Sequence, residues 1–190
     1  MIADVSDKGI PAALYMMFAR TLLRAVAFSG RRPAAALKRT NELMLADSTS
    51  DMFVTAYYAV LDTTTHSFTY ASAGHNLGLH LPAAGGLPQP MITEGIPLGI
   101  TAPARIGQKT LTMQPGDLVV FYTDGVTEAI NAEEHEFGEA RLAELVVANR
   151  HLHTEAIADA IRAAVLGFIG DTPPSDDFTL VLVKLEAPAS

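Results

Sequence analysis

The chain has 190 residues, a net charge of −8, a pI near 5.1, 49% hydrophobic and 18% charged residues, and no cysteine. That length is enough for one domain with a substantial core, and the composition excludes a largely disordered chain. The acidic balance argues against nucleic-acid and anionic-membrane binding, and the missing cysteine rules out disulfides, zinc–thiolate centres and thiol nucleophiles. The first residues lack a basic start followed by a sustained apolar core, so no signal peptide is expected and a cytoplasmic location is.

Met1-Ile-Ala-Asp-Val has the pattern of the last part of a strand, and Ser6-Asp7-Lys8-Gly9 follows as a loop. Pro11 then stands just inside a helix start, where its missing N–H would have had no partner. The helix, roughly 11–28, is apolar nearly all round, with Arg20 and Arg24 as a narrow polar stripe. Burial in the core is the expectation, and the two arginines argue against a membrane span. Pro33 opens a second helix to about Ser48. Arg20, Arg24, Arg31, Arg32, Lys38 and Arg39 make this region the most basic of the chain, a pattern that usually marks a solvated face.

Residues 52–82 read as three strands, Met52 to Leu61, Ser67 to Ala73 and Leu77 to Leu81, joined by turns at Asp62-Thr-Thr-Thr and Gly74-His75-Asn76. The Pro- and Gly-rich stretch 82–105 reads as a long surface loop with short extended pieces. Lys109 to Met113 and a Pro115-Gly116 turn lead into Leu118 to Tyr122, an unbroken apolar run that suits a strand buried on both faces. It ends at Asp124-Gly125. That pair is the commonest hairpin turn signal, and it also fits a carboxylate held at the tip of a rigid strand, with the glycine giving close backbone approach or a positive φ. Helices follow at about 138–149 and 154–168, the second ended by Gly170. The extended Pro173-Pro174-Ser175 loop delivers Asp176-Asp177 to a final strand, Phe178 to Leu185. The domain is expected to span 1–186, with 187–190 as a loose tail.

Asp4, Asp124 and Asp176-Asp177 therefore all lie where a buried strand meets a loop. Carboxylate oxygens without cysteine or histidine suit hard divalent cations. Such carboxylates raise one another's pKa unless a cation neutralises them. Spacing alone does not bring the three points together.

Seven short stretches follow one another in a recognisable order: Asp4-Val-Ser-Asp-Lys-Gly-Ile-Pro-Ala-Ala-Leu, Met52-Phe-Val-Thr, Ala73-Gly-His-Asn, Gly95-Ile-Pro-Leu-Gly, Tyr122-Thr-Asp-Gly-Val-Thr-Glu-Ala, Phe137-Gly and Asp176-Asp-Phe-Thr-Leu. Over nearly its whole length the chain resembles the SpoIIE/RsbU-type bacterial serine phosphatases, a branch of the metal-dependent PP2C-like phosphatases. The resemblance implies an α+β fold, an αββα sandwich of two mainly antiparallel sheets flanked by helices. It also implies a centre of two manganese or magnesium ions. Asp4 would bridge the metals, the Val5 carbonyl would be a further ligand, and Asp124 and Asp176 would each hold metal. Asp177 follows the main ligand position, and Gly125 would let backbone approach the site. His75 could approach the site from its turn, though a structural hydrogen-bonding role is the plainer expectation. Asp7 stands where the family usually has glycine.

Family members carry a further strand pair and another acidic ligand before the position of Asp4. The chain thus reads as an N-terminally truncated domain of a longer regulatory protein, with an upstream sensor or receiver domain, an edge open to homodimer pairing, weak metal binding and little activity. The reaction implied is metal-assisted hydrolysis of phosphoserine or phosphothreonine, with a STAS-type anti-anti-sigma factor as leading substrate. The competing readings are a catalytically weak phosphatase-fold module for partner binding or dimerisation, and a hydrolase of some other phosphoester. Glu128 could neighbour the metals, with helix capping or solvent exposure as the plainer expectation, and His151 and His153 read as an exposed pair.

Overall fold

The computed structural model describes residues 1–47, 50–173 and 176–186, which form eight strands and five helices among the described residues. They divide into two compact units, each with one four-stranded antiparallel sheet and its own apolar core. The first comprises Met1–His75 and Ile92–Met113; the second comprises Asn76–Met91 and the chain from Gln114 onward. Each unit thus draws on two separate segments of the sequence.

In the first unit the strands are β1 (Ile2–Val5), β2 (Val54–Asp62), β3 (Ser67–Ala73) and β6 (Lys109–Thr112), in the spatial order β1-β2-β3-β6. The β2–β3 hairpin closes at Asp62, whose Oδ1 accepts the N–H groups of Thr64 and Thr65 at 2.8 and 3.2 Å. Side-chain acceptance of a turn's own amides is the reason aspartate favours such positions. Helices α1 (Ile10–Ala27) and α2 (Pro33–Asp47) flank this sheet. The end expected for α2, Ser48, lies outside the described residues.

The expectation of all-round burial for α1 is corrected. Ala12, Tyr15, Ala19, Leu23 and Val26 are buried at three- and four-residue intervals, whereas Ile10, Leu14 and Met17 are exposed. A helix on the outside of its layer buries only the stripe that faces the sheet. By length and composition α1 would also suffice to cross a membrane, but that stripe is committed to the first core.

The stretch expected as a surface loop is corrected too. Leu98, Ala104 and Ile106 belong to the first core. Leu98 and Val54 exchange two backbone hydrogen bonds of 2.8 and 2.9 Å. Buried Asn41 of α2 donates to the Thr101 carbonyl and accepts the Gly99 N–H, both at 2.8 Å. Proline and glycine advertise irregular backbone, but these partners bury it, because its polar groups are satisfied in place.

The second unit has β4 (Gly78–Leu81), β5 (Gln89–Met91), β7 (Leu118–Tyr122) and β8 (Leu180–Lys184), ordered β5-β4-β7-β8, with a helical turn α3 (Asp124–Thr127) and helices α4 (Gly138–Asn149) and α5 (Thr154–Ile169). The expected three-strand run at 52–82 is therefore split. Its third strand leaves the first sheet at Gly74-His75-Asn76 and pairs with β7. All five residues of β7 are buried. On α5, Ile157, Ile161, Val165 and Ile169 fill the core at helical spacing.

The lower end of β7 is fixed by Asp117. Its buried carboxylate accepts the Ala83 N–H at 2.7 Å, the Gln114 N–H at 2.9 Å and a bond from His80 Nε2 at 3.1 Å. Burial pushes this carboxyl up, but the two amides and His80 more than offset that and hold it below the usual carboxylate range. A depressed carboxyl pKa stabilises above the unfolded value of about 3.9, and this support is lost as pH falls through the folded value. Asp117→Ala is expected to cost about 1–3 kcal/mol in a urea titration at pH 7, because two part-buried amides and the buried His80 ring lose their acceptor. The difference from the wild type should shrink on acidification below about pH 4.

Candidate active site

At the upper end of β7 the chain does not reverse as a hairpin: of the two readings of Asp124-Gly125, the turn gives way to a carboxylate at the strand tip. Thr123 stays extended at φ −87° and ψ 161°, and Asp124 then opens the helical turn α3, with the Glu128 N–H on the Asp124 carbonyl at 2.7 Å. Thr123 is the fastener of the site. Its N–H donates to the Thr179 carbonyl at 3.1 Å, its hydroxyl donates to the Asp177 carbonyl at 2.8 Å, and the hydroxyl oxygen accepts the Thr179 N–H at 3.0 Å. These bonds hold the segment that carries Asp176 and Asp177 against the tip of β7.

Gly125 completes this approach. A Cβ there would lie 2.4 Å from the Asp177 carbonyl oxygen and 2.9 Å from its carbon. Of the two roles open to this glycine, close approach is the one used, and what approaches is the 176–177 backbone. Asp177 enters through that backbone, with its side chain exposed.

Asp124 and Asp176 are thereby gathered in one region of the second unit with Glu128 and Glu136. Burial pushes the Glu128 carboxyl above its ordinary value, and the charges of Asp124, Glu136 and Asp176 push it further. A carboxyl pushed up by neighbouring carboxylates is what like charge without a countercharge produces. Their oxygens suit a hard divalent cation. Asp124 Oδ1 accepts the Gly125 N–H at 2.9 Å and Asp176 Oδ1 accepts the Asp177 N–H at 2.8 Å, so each rotamer is tied to the amide that follows it. Among the described residues no group of three or more His, Asp or Glu stands assembled as a metal cage. Beside the carboxylates a recess of about 280 Å³ is lined by Gly125, Ala129, Val165, Leu166, Asp176 and Phe178.

The first unit carries the other expected residues. Asp4 is half-buried on β1 opposite Thr55, and its Oδ1 accepts the Val5 N–H at 2.9 Å, the same arrangement as at Asp124 and Asp176. Val5 pairs with Val54. Asp7 has φ 77° and accepts the Lys8 N–H on its own carboxylate at 2.8 Å. A left-handed backbone is one that glycine takes without strain; aspartate tolerates it through that local bond. Buried His75 sits 2.9 Å from the Thr55 hydroxyl through Nδ1.

Sequence reasoning missed Thr123 and Glu136 and placed Glu128 only at the margin. A threonine directly after a fully apolar strand was the available signal for the first; Glu136 is brought in by the bridge between Ile130 and Glu136, which no spacing rule reveals. His151 and His153 are exposed, as expected, and His153 lies 3.5 Å from Glu186.

Comparison with known proteins decides the family. The family model described as Stage II sporulation protein E (SpoIIE) matches residues 1–186. The chain belongs to the SpoIIE family. It is similar to phosphoserine phosphatase RsbU of Bacillus subtilis, with 31% identity over 183 residues, 96% of this chain and 54% of that protein. The chain thus spans about half the length of that relative. Among solved structures it is similar to the SiaA PP2C domain of Pseudomonas aeruginosa, at 22% identity and a TM-score of 0.84, covering 97% of this chain and 74% of the other. It is also similar to the manganese-presoaked SpoIIE phosphatase domain of B. subtilis, at 19% identity and a TM-score of 0.58, covering 90% and 75%. These likenesses show a PP2C-like fold, with two antiparallel sheets and flanking helices.

Proposed function

We propose that this SpoIIE-family chain is a divalent-metal-dependent protein serine/threonine phosphatase acting in a signalling pathway, with a phosphorylated STAS-type anti-anti-sigma factor as substrate. The observation that carries the proposal is the pairing of Asp124 with Asp176 through Thr123 and Gly125, beside a Glu128 carboxyl that burial and the neighbouring carboxylates push up. The name of RsbU supports phosphoserine as the substrate class, and the manganese-presoaked SpoIIE domain supports manganese or magnesium as the cation. Asp4 with the Val5 carbonyl in the first unit, and Asp124 with Asp176 in the second, are the proposed ligands for divalent ions. When bound, such ions acidify water and stabilise charge developing on phosphoryl oxygens. The chain's own part is positional: the amides of Val5, Gly125 and Asp177 hold the three aspartates in one rotamer each, and Thr123 keeps the last segment in place. The apolar recess beside Asp176 offers room for a side chain of a protein substrate, which favours a phosphoprotein over a small ester.

A second reading, a catalytically weak module used for partner binding or dimerisation, is favoured by the lack of an assembled three-residue cage among the described residues. Hydrolysis of a phosphoserine protein, a nucleotide and p-nitrophenyl phosphate, each with manganese and with EDTA, separates the readings. Manganese-dependent release of phosphate, fastest from the phosphoprotein, is expected. Equal inactivity with and without manganese would favour the module.

A further inference from the structure

Three stretches that the family resemblance rests on take no part in the carboxylate cluster: Met52-Phe-Val-Thr, Ala73-Gly-His-Asn and Gly95-Ile-Pro-Leu-Gly. In the first unit they meet one another. Val54 and Leu98 are joined by their two backbone hydrogen bonds. Gly95 lies so close to β3 that a Cβ would fall 1.8 Å from the Ser72 carbonyl oxygen. Gly74, at φ 70°, would carry a Cβ only 2.7 Å from the Pro97 ring. The His75 N–H donates to Ser72 Oγ at 3.1 Å. Backbone conformation, glycine packing and a side-chain acceptor thus fix where the His75 ring goes.

That ring reaches Thr55, which stands directly opposite Asp4 in the β1–β2 ladder. The Thr55 hydroxyl donates to the Asp4 carbonyl at 3.4 Å. A hydroxyl has one proton, so with that proton on Asp4 it accepts from His75, and the pair assigns the hydrogen to Nδ1. The relay runs from His75 Nδ1–H to Thr55 Oγ1–H to the Asp4 carbonyl. We infer that Thr55 and His75 are positioning residues for Asp4, fixing the strand that presents its carboxylate and the neighbouring Val5 carbonyl to a divalent cation. This rests on the reading of Asp4 as a metal ligand. The two residues touch neither substrate nor reacting atoms; they act through β1.

The test compares manganese affinity by calorimetry in the full chain and in five variants, with thermal melting and amide exchange on β1 as companion readouts. Asp4→Asn reports the ligand. Thr55→Val and His75→Phe each break the relay, whereas Thr55→Ser keeps the hydroxyl and His75→Asn keeps an N–H at the Nδ1 position. Thr55→Val and His75→Phe should weaken manganese binding about tenfold or more, the usual effect of removing a partner that orients a metal ligand, and should speed exchange of the β1 amides. Thr55→Ser and His75→Asn should bind nearly as the parent does. If Asp4→Asn weakens binding and Thr55→Val and His75→Phe do not, the relay is refuted while the functional reading stands. Equal losses in the conservative and disruptive variants would also overturn it, because general destabilisation would then account for both. Unchanged binding in Asp4→Asn would remove the ligand reading and the inference with it. Should Thr55→Val fail to fold, His75→Phe and its His75→Asn counterpart decide the matter.

Discussion

Asp124→Asn is expected to lower turnover of a phosphoserine substrate ~10²–10³-fold, the loss typical of deleting one preorganised charged group from an active site. The substitution is clean because it keeps shape. Asparagine retains an Oδ1 to accept the Gly125 N–H, so the rotamer, the α3 turn and the bonds made by Thr123 all have reason to persist. What disappears is one negative charge. In the metal-free protein that loss relieves repulsion felt at Glu128, where the charge of Asp124 follows burial as a cause of the raised pKa. The melting temperature without metal should therefore hold or rise slightly while turnover collapses. Stability and activity moving in opposite directions is a signature that a merely structural aspartate would not give. Steady-state kinetics with saturating manganese, beside a calorimetric melt in EDTA, measures both.

Gly125→Ala should do damage by a different route. The added methyl meets a backbone carbonyl at 2.4 Å, and a backbone atom has no rotamer through which to retreat. Either α3 or the 177–179 segment must shift, at a cost of about 1–3 kcal/mol. Moving that segment strains the three bonds around Thr123 and carries Asp176 away from Asp124. Displacing a catalytic group by about 1 Å can cost ~10² in rate, so activity is expected to fall roughly a hundredfold as stability falls. Gly167→Ala is the internal comparison. Gly167 lies inside α5, where an added Cβ would meet nothing within 4 Å, and there the same substitution should stabilise by about 0.5–1 kcal/mol. One change of residue type with two opposite signs, read in parallel urea titrations, isolates the close approach at Gly125.

The elements most legible in the sequence are those whose side chains state their own environment. Leu118 to Tyr122 announced a strand buried on both faces and is one. The spacing of Ile157, Ile161, Val165 and Phe168 announced α5, although Ile169 and not Phe168 is the buried member at its end, and Asp62 with its threonines announced the β2–β3 turn. What stayed hidden depends on partners distant in the chain. Asp124-Gly125 has the local chemistry of a hairpin, and only the Thr123–Asp177 bond shows why it becomes a helical turn at a strand tip. The segment after Met91 reads as loop because its prolines and glycines are visible, while Asn41 and Val54, which bury it, are far off in sequence. The apolar character of α1 was plain, but how much of its circumference would be covered depends on the layer beneath it. At the site the aspartates were visible from their positions at strand ends. Glu136, Thr123 and the Thr55–His75 contact were not, since each acts through a neighbour that local pattern does not identify.

The measurement that bears most directly on the account is a manganese titration of the parent chain, Asp124→Asn, Asp176→Asn and the double variant. If the two carboxylates serve a common ion, each single substitution should weaken binding about tenfold or more, and the double variant should lose clearly less than the sum of the two free-energy changes. Manganese affinity that is the same in all four proteins would contradict it.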